Sequence, residues 1–141
     1  MFGRLTTRPW KRLALAALFS MPAACSDSGT TGPNESQLVG TWDVTSFQAL
    51  GVDLIQQGMT MELTLTAART YTVVITDDFF DTCEGATSCT ETGSYSSTAT
   101  RITMDPGTED EATFNYSING STMTFTADVD GIPVIMILRR S

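Results

Sequence analysis

From Leu38 onward, apolar and polar residues alternate along the chain. Met59, Met61, Leu63 and Leu65 are interleaved with Thr60, Glu62, Thr64 and Thr66. Tyr71, Val73 and Ile75 are interleaved with Thr72 and Thr76, with Val74 breaking the pattern. A period of two sends successive side chains to opposite faces, so these segments read as strands with one dry and one wet face. Threonine suits the wet face because β-branched side chains pack well on a pleated surface. After Cys25 no segment sustains a 3.6-residue period, although Val52 to Gln57 has room for one helical turn.

Turn chemistry orders the last third of the chain. Asn119-Gly120 predicts a two-residue type I′ hairpin, pairing Ile118 with Ser121, Tyr116 with Met123 and Phe114 with Phe125. Asp130-Gly131 predicts another, pairing Ala127 with Val134, Phe125 with Met136 and Met123 with Leu138. Both turns bring the large apolar residues to one face, and a one-residue slip would turn all of them outward. The predicted strands are 38–47, 59–67, 70–76, 91–97, 100–104, 112–118, 121–129 and 132–139. This all-β pattern suits a small up-and-down antiparallel barrel of about eight strands, with a two-sheet sandwich as the alternative. A membrane-spanning barrel does not fit, because its outer band must be apolar and this one is Thr, Ser and Asp.

Residues 1–24 follow a different pattern. A basic stretch from Arg4 to Arg12 precedes the apolar run Leu13–Phe19, which precedes Ala23-Ala24. These are the parts of a secretory signal, and the run is too short to span a bilayer. Ala23-Ala24-Cys25 resembles the lipobox of bacterial lipoproteins, although Pro22 stands where Leu or Val is usual. That resemblance implies lipidation of Cys25, cleavage before it and attachment to the membrane through acyl chains. Ser26 in place of Asp implies the outer membrane, with the protein facing the periplasm or the cell surface. Residues 25–37 read as a flexible tether and 38–141 as the domain.

From Cys25 onward, 4 Arg and no Lys face 16 carboxylates, leaving a net charge of −12. So negative a surface repels phosphate backbones, which argues against a nucleic-acid partner. The absence of His removes the commonest general base and metal ligand, and the absence of Lys removes Schiff-base chemistry. Cys83 and Cys89, six positions apart, predict a disulfide in an exported chain. Asp77, Asp78, Asp81 and Glu84 surround Phe79-Phe80, and Asp105 to Glu111 is equally acidic. Neither spacing matches a calcium loop, so we expect solvated loops, no metal and no cofactor. Phe79 and Phe80 are expected to fold back onto the core, with capping of the barrel mouth or contact with the membrane as the alternatives. A carboxylate-dependent hydrolase is a remote alternative; the expectation is a protein that is not an enzyme.

Leu38-Val39-Gly40-Thr41-Trp42 opens the domain, Thr92-Gly93-Ser94-Tyr95 lies mid-chain and Leu138-Arg139 closes it. Together these resemble the lipocalin superfamily, most nearly its small bacterial lipocalin-like lipoproteins. The resemblance implies a barrel-closing motif of Gly40, Trp42 and Arg139, with Arg140 as the alternative to Arg139. It also implies an interior for a small hydrophobic ligand. Trp42, Met59, Met61, Tyr71, Phe114, Tyr116, Phe125 and Met136 are the expected lining. The chain departs from larger lipocalins in its roughly 104-residue domain and in having no helix after the last strand. Ile135 and Ile137 would then face outward as a possible protein contact. Two functions stay open: ligand binding, which an apolar cavity of about 300 Å³ or more open at one end would support, or a filled barrel serving as a structural or interaction module, which a packed interior would favour.

Overall fold

A computed structural model describes residues 35–78, 83–129 and 131–141. The alternation is realised there as nine strands after one helical turn, α1 (Glu35–Leu38). They are β1 (Gly40–Ala49), β2 (Val52–Asp53), β3 (Thr60–Leu65), β4 (Thr70–Thr76), β5 (Ser88–Ser97), β6 (Arg101–Met104), β7 (Ala112–Asn119), β8 (Thr122–Val129) and β9 (Ile132–Arg140). Each strand from β3 to β8 pairs antiparallel with the next, and β1 pairs with both β3 and β9. Eight strands thus close a barrel, which leaves no free edge. The ninth, β2, is a two-residue appendage on Gln48 and Ala49 of β1. The expected barrel is therefore the observed one, and the sandwich is excluded.

The inward face is the alternating apolar set: Met61, Leu63 and Leu65 on β3, Tyr71, Val73 and Ile75 on β4, and Phe114 and Tyr116 on β7. The β8–β9 register is as expected, with Phe125 opposite Met136 and Met123 opposite Leu138. The β7–β8 register differs: Tyr116 lies opposite Phe125 and Ile118 opposite Met123. The turn is formed by Gly120-Ser121, with Asn119 paired to Thr122. Gly120 has φ 60° while Asn119 is not among the residues of positive φ, as expected for Gly at the first central position of a type II′ turn. The shift is even, so no side chain changes face.

A β-bulge interrupts β1 between Val44 and Ser46, where the register against β9 shifts. The extra residue, Thr45, donates from its hydroxyl to Ile137 O at 3.1 Å. A bulge reverses the parity of the residues beyond it; the buried positions before it are Trp42 and Val44, and Phe47 packs on the core after it. The expected helical turn over Val52–Gln57 does not form: Val52 and Asp53 are β2, and the residues after them hold turns, with Gln57 N donating to Leu54 O and Gly58 N to Ile55 O.

The two ends of the barrel differ. Tight turns link β3 to β4, β5 to β6 and β7 to β8 at the base, whereas the longer connections 50–59 and 105–111 lie at the opposite mouth, with 77–78 and 83–87. The base is plugged by α1, whose Leu38 is fully buried. Residues 35–37, read from the sequence as part of the tether, form this turn. Cys25, the signal segment and Phe79, Phe80 and Asp81 lie outside the described residues. Among the described residues, no helix is long and apolar enough to cross a membrane.

Candidate binding interior

The base is held by aromatic and charged groups. Trp42 is fully buried, and its indole Nε1 donates to Leu38 O at 2.8 Å. The Arg140 guanidinium lies 4.3 Å from the Trp42 ring centroid, a cation–π distance. Its Nη1 donates to Val39 O at 3.0 Å and its Nη2 to Gln37 O. Gly40 has φ 145°, and a Cβ there would fall 2.5 Å from Arg140 Nη1, so this close approach requires glycine. The stacking arginine is thus Arg140 and not Arg139. The reason is parity: Met136 and Leu138 point inward, so Arg140 follows them onto the ring and Arg139 points to solvent.

Beside this plug, Glu35 is buried, 3.5 Å from Arg69 Nη1, and accepts from Ser97 Oγ at 2.8 Å. Arg69 also sits 5.7 Å from the Tyr95 ring centroid. All three tyrosines of the domain spend their hydroxyls on fixed partners. Tyr95 donates to Thr66 O at 2.8 Å, and Tyr116 to Thr98 O at 2.6 Å. Tyr71 donates to Asp105 Oδ2 at 2.6 Å, while Asp105 Oδ1 accepts from Ser94 N at 3.1 Å. Burial pushes all three hydroxyls above the usual tyrosine pKa, and for Tyr71 the Asp105 carboxylate adds to it.

Midway up the barrel is an apolar crevice of about 20 Å³, lined by Val44, Met61, Leu63, Val73, Met104, Phe114, Phe125, Met136 and Leu138. Phe114 and Phe125 stack there with centroids 5.6 Å apart. Of the expected lining, Met61, Phe114, Phe125 and Met136 meet at this crevice. Trp42, Tyr71 and Tyr116 are buried but committed to the hydrogen bonds above, and Met59 is buried in the same core without lining the crevice. The volume holds one water at most and falls well short of the expected cavity. The side chains fill the interior.

At the mouth, Asp53 clasps the β1–β2 corner. It accepts from Ser46 Oγ at 2.6 Å, Phe47 N at 3.2 Å and Ile55 N at 3.1 Å. The Ser46 hydroxyl chiefly holds its carboxyl below the usual aspartate pKa. This clasp seats Leu54 and Met59 in the core and Ile55 against it. Cys83 and Cys89 form the expected disulfide, with Cα atoms 5.5 Å apart, and Cys83 N donates to Asp78 Oδ2 at 2.6 Å. On the outer wall Ile135 is exposed and Ile137 half-buried, and Leu50 and Val52 are exposed near the mouth. Among the described residues no group of three His, Cys, Asp or Glu is placed to hold a metal ion.

Three solved structures illustrate the likeness to known proteins. The REP1-NXSQ fatty acid transporter is 10% identical, with 75% of this chain and 97% of that one covered at a TM-score of 0.46. A Schistosoma mansoni fatty acid binding protein in complex with arachidonic acid is 16% identical, with 75% and 97% covered at 0.43. The fluorescent protein UnaG is 13% identical, with 75% and 98% covered at 0.43. No curated protein matches the chain. The description "Lipocalin-like domain" matches residues 38–127, which span the barrel from its Gly40-Thr41-Trp42 plug through most of β8. The chain belongs to the lipocalin-like domain family.

Proposed function

We propose that this protein is a lipid-anchored binding module of the bacterial envelope, taking one small apolar molecule into its barrel. The observation that carries this is the placement of methionine. All five methionines of the domain, Met59, Met61, Met104, Met123 and Met136, are buried in the interior, and three line the crevice. A core selected only for rigidity favours Leu, Ile, Val and Phe, whereas unbranched thioethers repack around irregular shapes. A ligand enters by displacing these side chains, since the crevice alone is too small.

The test is a methyl NMR titration of protein labelled at the methionine methyls, using neutral molecules from xenon to naphthalene. The expected result is saturable shifts at Met61, Met104 and Met136 with one molecule per barrel. A folded barrel whose methyls respond to none of them would end the reading. The 20 Å³ volume favours a second function, a filled barrel acting through its surface, and that negative result would select it. Anchoring at Cys25 is tested separately: Cys25→Ser should yield an unacylated protein released from membranes, and unchanged fractionation would refute the anchor.

A further inference from the structure

The charges around the interior restrict what it accepts. None of the four arginines of the domain points at the crevice. Arg69 pairs with Glu35 at the base, Arg101 and Arg139 are exposed, and Arg140 covers the outside of the Trp42 plug. The segment 79–82 and position 130 add only Phe79, Phe80, Asp81, Thr82 and Asp130, so they supply no base either. Two carboxylates, by contrast, stand at the wall of the interior. Glu91 lies opposite Val73 in the β4–β5 register, on the same parity as Gly93 and buried Tyr95, and is half-buried. Asp105 is hydrogen-bonded to buried Tyr71. Both carboxylates act on the Tyr71 hydroxyl in the sense of raising its pKa.

Among the described residues, the aromatic hydrogen-bond donors are also spoken for. The three tyrosine hydroxyls and the Trp42 indole each have a protein acceptor, and all nine residues lining the crevice are apolar. An anion brought inside would lose its hydration and gain neither a counter-charge nor a donor. The acidic exterior, with a net charge of −12 from Cys25 onward, disfavours its approach as well. A cation is drawn to that exterior but must also give up its hydration among carbon and sulfur.

We infer that the molecule taken up by this barrel is uncharged and lacks a polar headgroup, which places carboxylates such as fatty acids outside its ligand class. This rests on the binding reading above. The test compares toluene, benzoate and benzylammonium at pH 7 on the mature acylated protein, read at the methyls of Met61, Met104 and Met136. These rings are compact, so a charged substituent cannot stay in solvent while the ring reaches the crevice. The expected result is toluene binding at least about a hundredfold more tightly than either ion. Benzoate or benzylammonium binding within a few-fold of toluene would overturn the inference while leaving binding intact. Failure of all three to shift the methyls would instead remove the binding reading, and this inference with it.

Discussion

Replacing Arg140 by Ala is expected to loosen the barrel base, and the structure sets the size of the effect. The guanidinium sits 4.3 Å from the Trp42 centroid, a geometry worth about 1 kcal/mol for a partly exposed cation. Its two hydrogen bonds to Val39 O and Gln37 O are charge-assisted but close to solvent, so each is worth about 0.5–1 kcal/mol. The loss should total about 2–3 kcal/mol, lowering the Tm by roughly 10–20 °C for a domain of this size. Urea unfolding of residues 25–141, in which Trp42 is the one tryptophan, measures it directly by fluorescence. Arg139→Ala is the control and should change stability by less than about 0.5 kcal/mol, since that side chain is exposed. Arg140→Lys keeps the charge without the planar fork and should recover only part of the loss. If Arg139→Ala costs as much as Arg140→Ala, the parity argument for the plug is wrong.

Two further substitutions probe the walls. Gly93→Ala would place a Cβ 2.7 Å from Tyr71 Cε1 and 2.8 Å from its hydroxyl, and against Asp105. Overpacking of that kind costs about 1–3 kcal/mol, so denaturant unfolding should show a loss in that range; a neutral variant would contradict the contact. Asp53 has a folded pKa below the ordinary 3.8, so its clasp contributes stability above that value and loses it as pH falls through the folded pKa. The stability gap between wild type and Asp53→Ala should therefore narrow from pH 7 to pH 3, and a gap that stays constant would sink the assignment.

Much of the architecture was legible from side-chain parity. Phe125, Met136 and Leu138 share a face in the sequence and in the barrel because a strand's period of two admits no intermediate. Parity is blind to even shifts, however. Asn119-Gly120 is a good hairpin pair, yet Gly120-Ser121 makes the turn, and nothing in the alternation separates the two. The bulge at Thr45 carries no residue signal, since it is held by a backbone acceptor on a strand far away in sequence. Arg140 could have been read from the same alternation that placed Met136 and Leu138, had the parity been extended two residues. Met104 escaped because β6 is only four residues long, too short to display a period. The helical turn at Glu35 owes its order to Arg69, Ser97 and Arg140, all distant in sequence. The volume of the crevice was out of reach because it depends on how nine side chains from several strands interdigitate.

Pairing of β1 with β9 has a consequence for biogenesis. Arg140 reaches Val39 across 101 positions of sequence, so the ring of strands cannot shut before almost all of it has been synthesised. Until then β1 and β8 present bare edges that invite association with other chains. Such late, non-local closure is slow relative to local hairpin formation. The nascent chain therefore passes through an open, extensible form whose two exposed edges stay bare until the last strand arrives to join them.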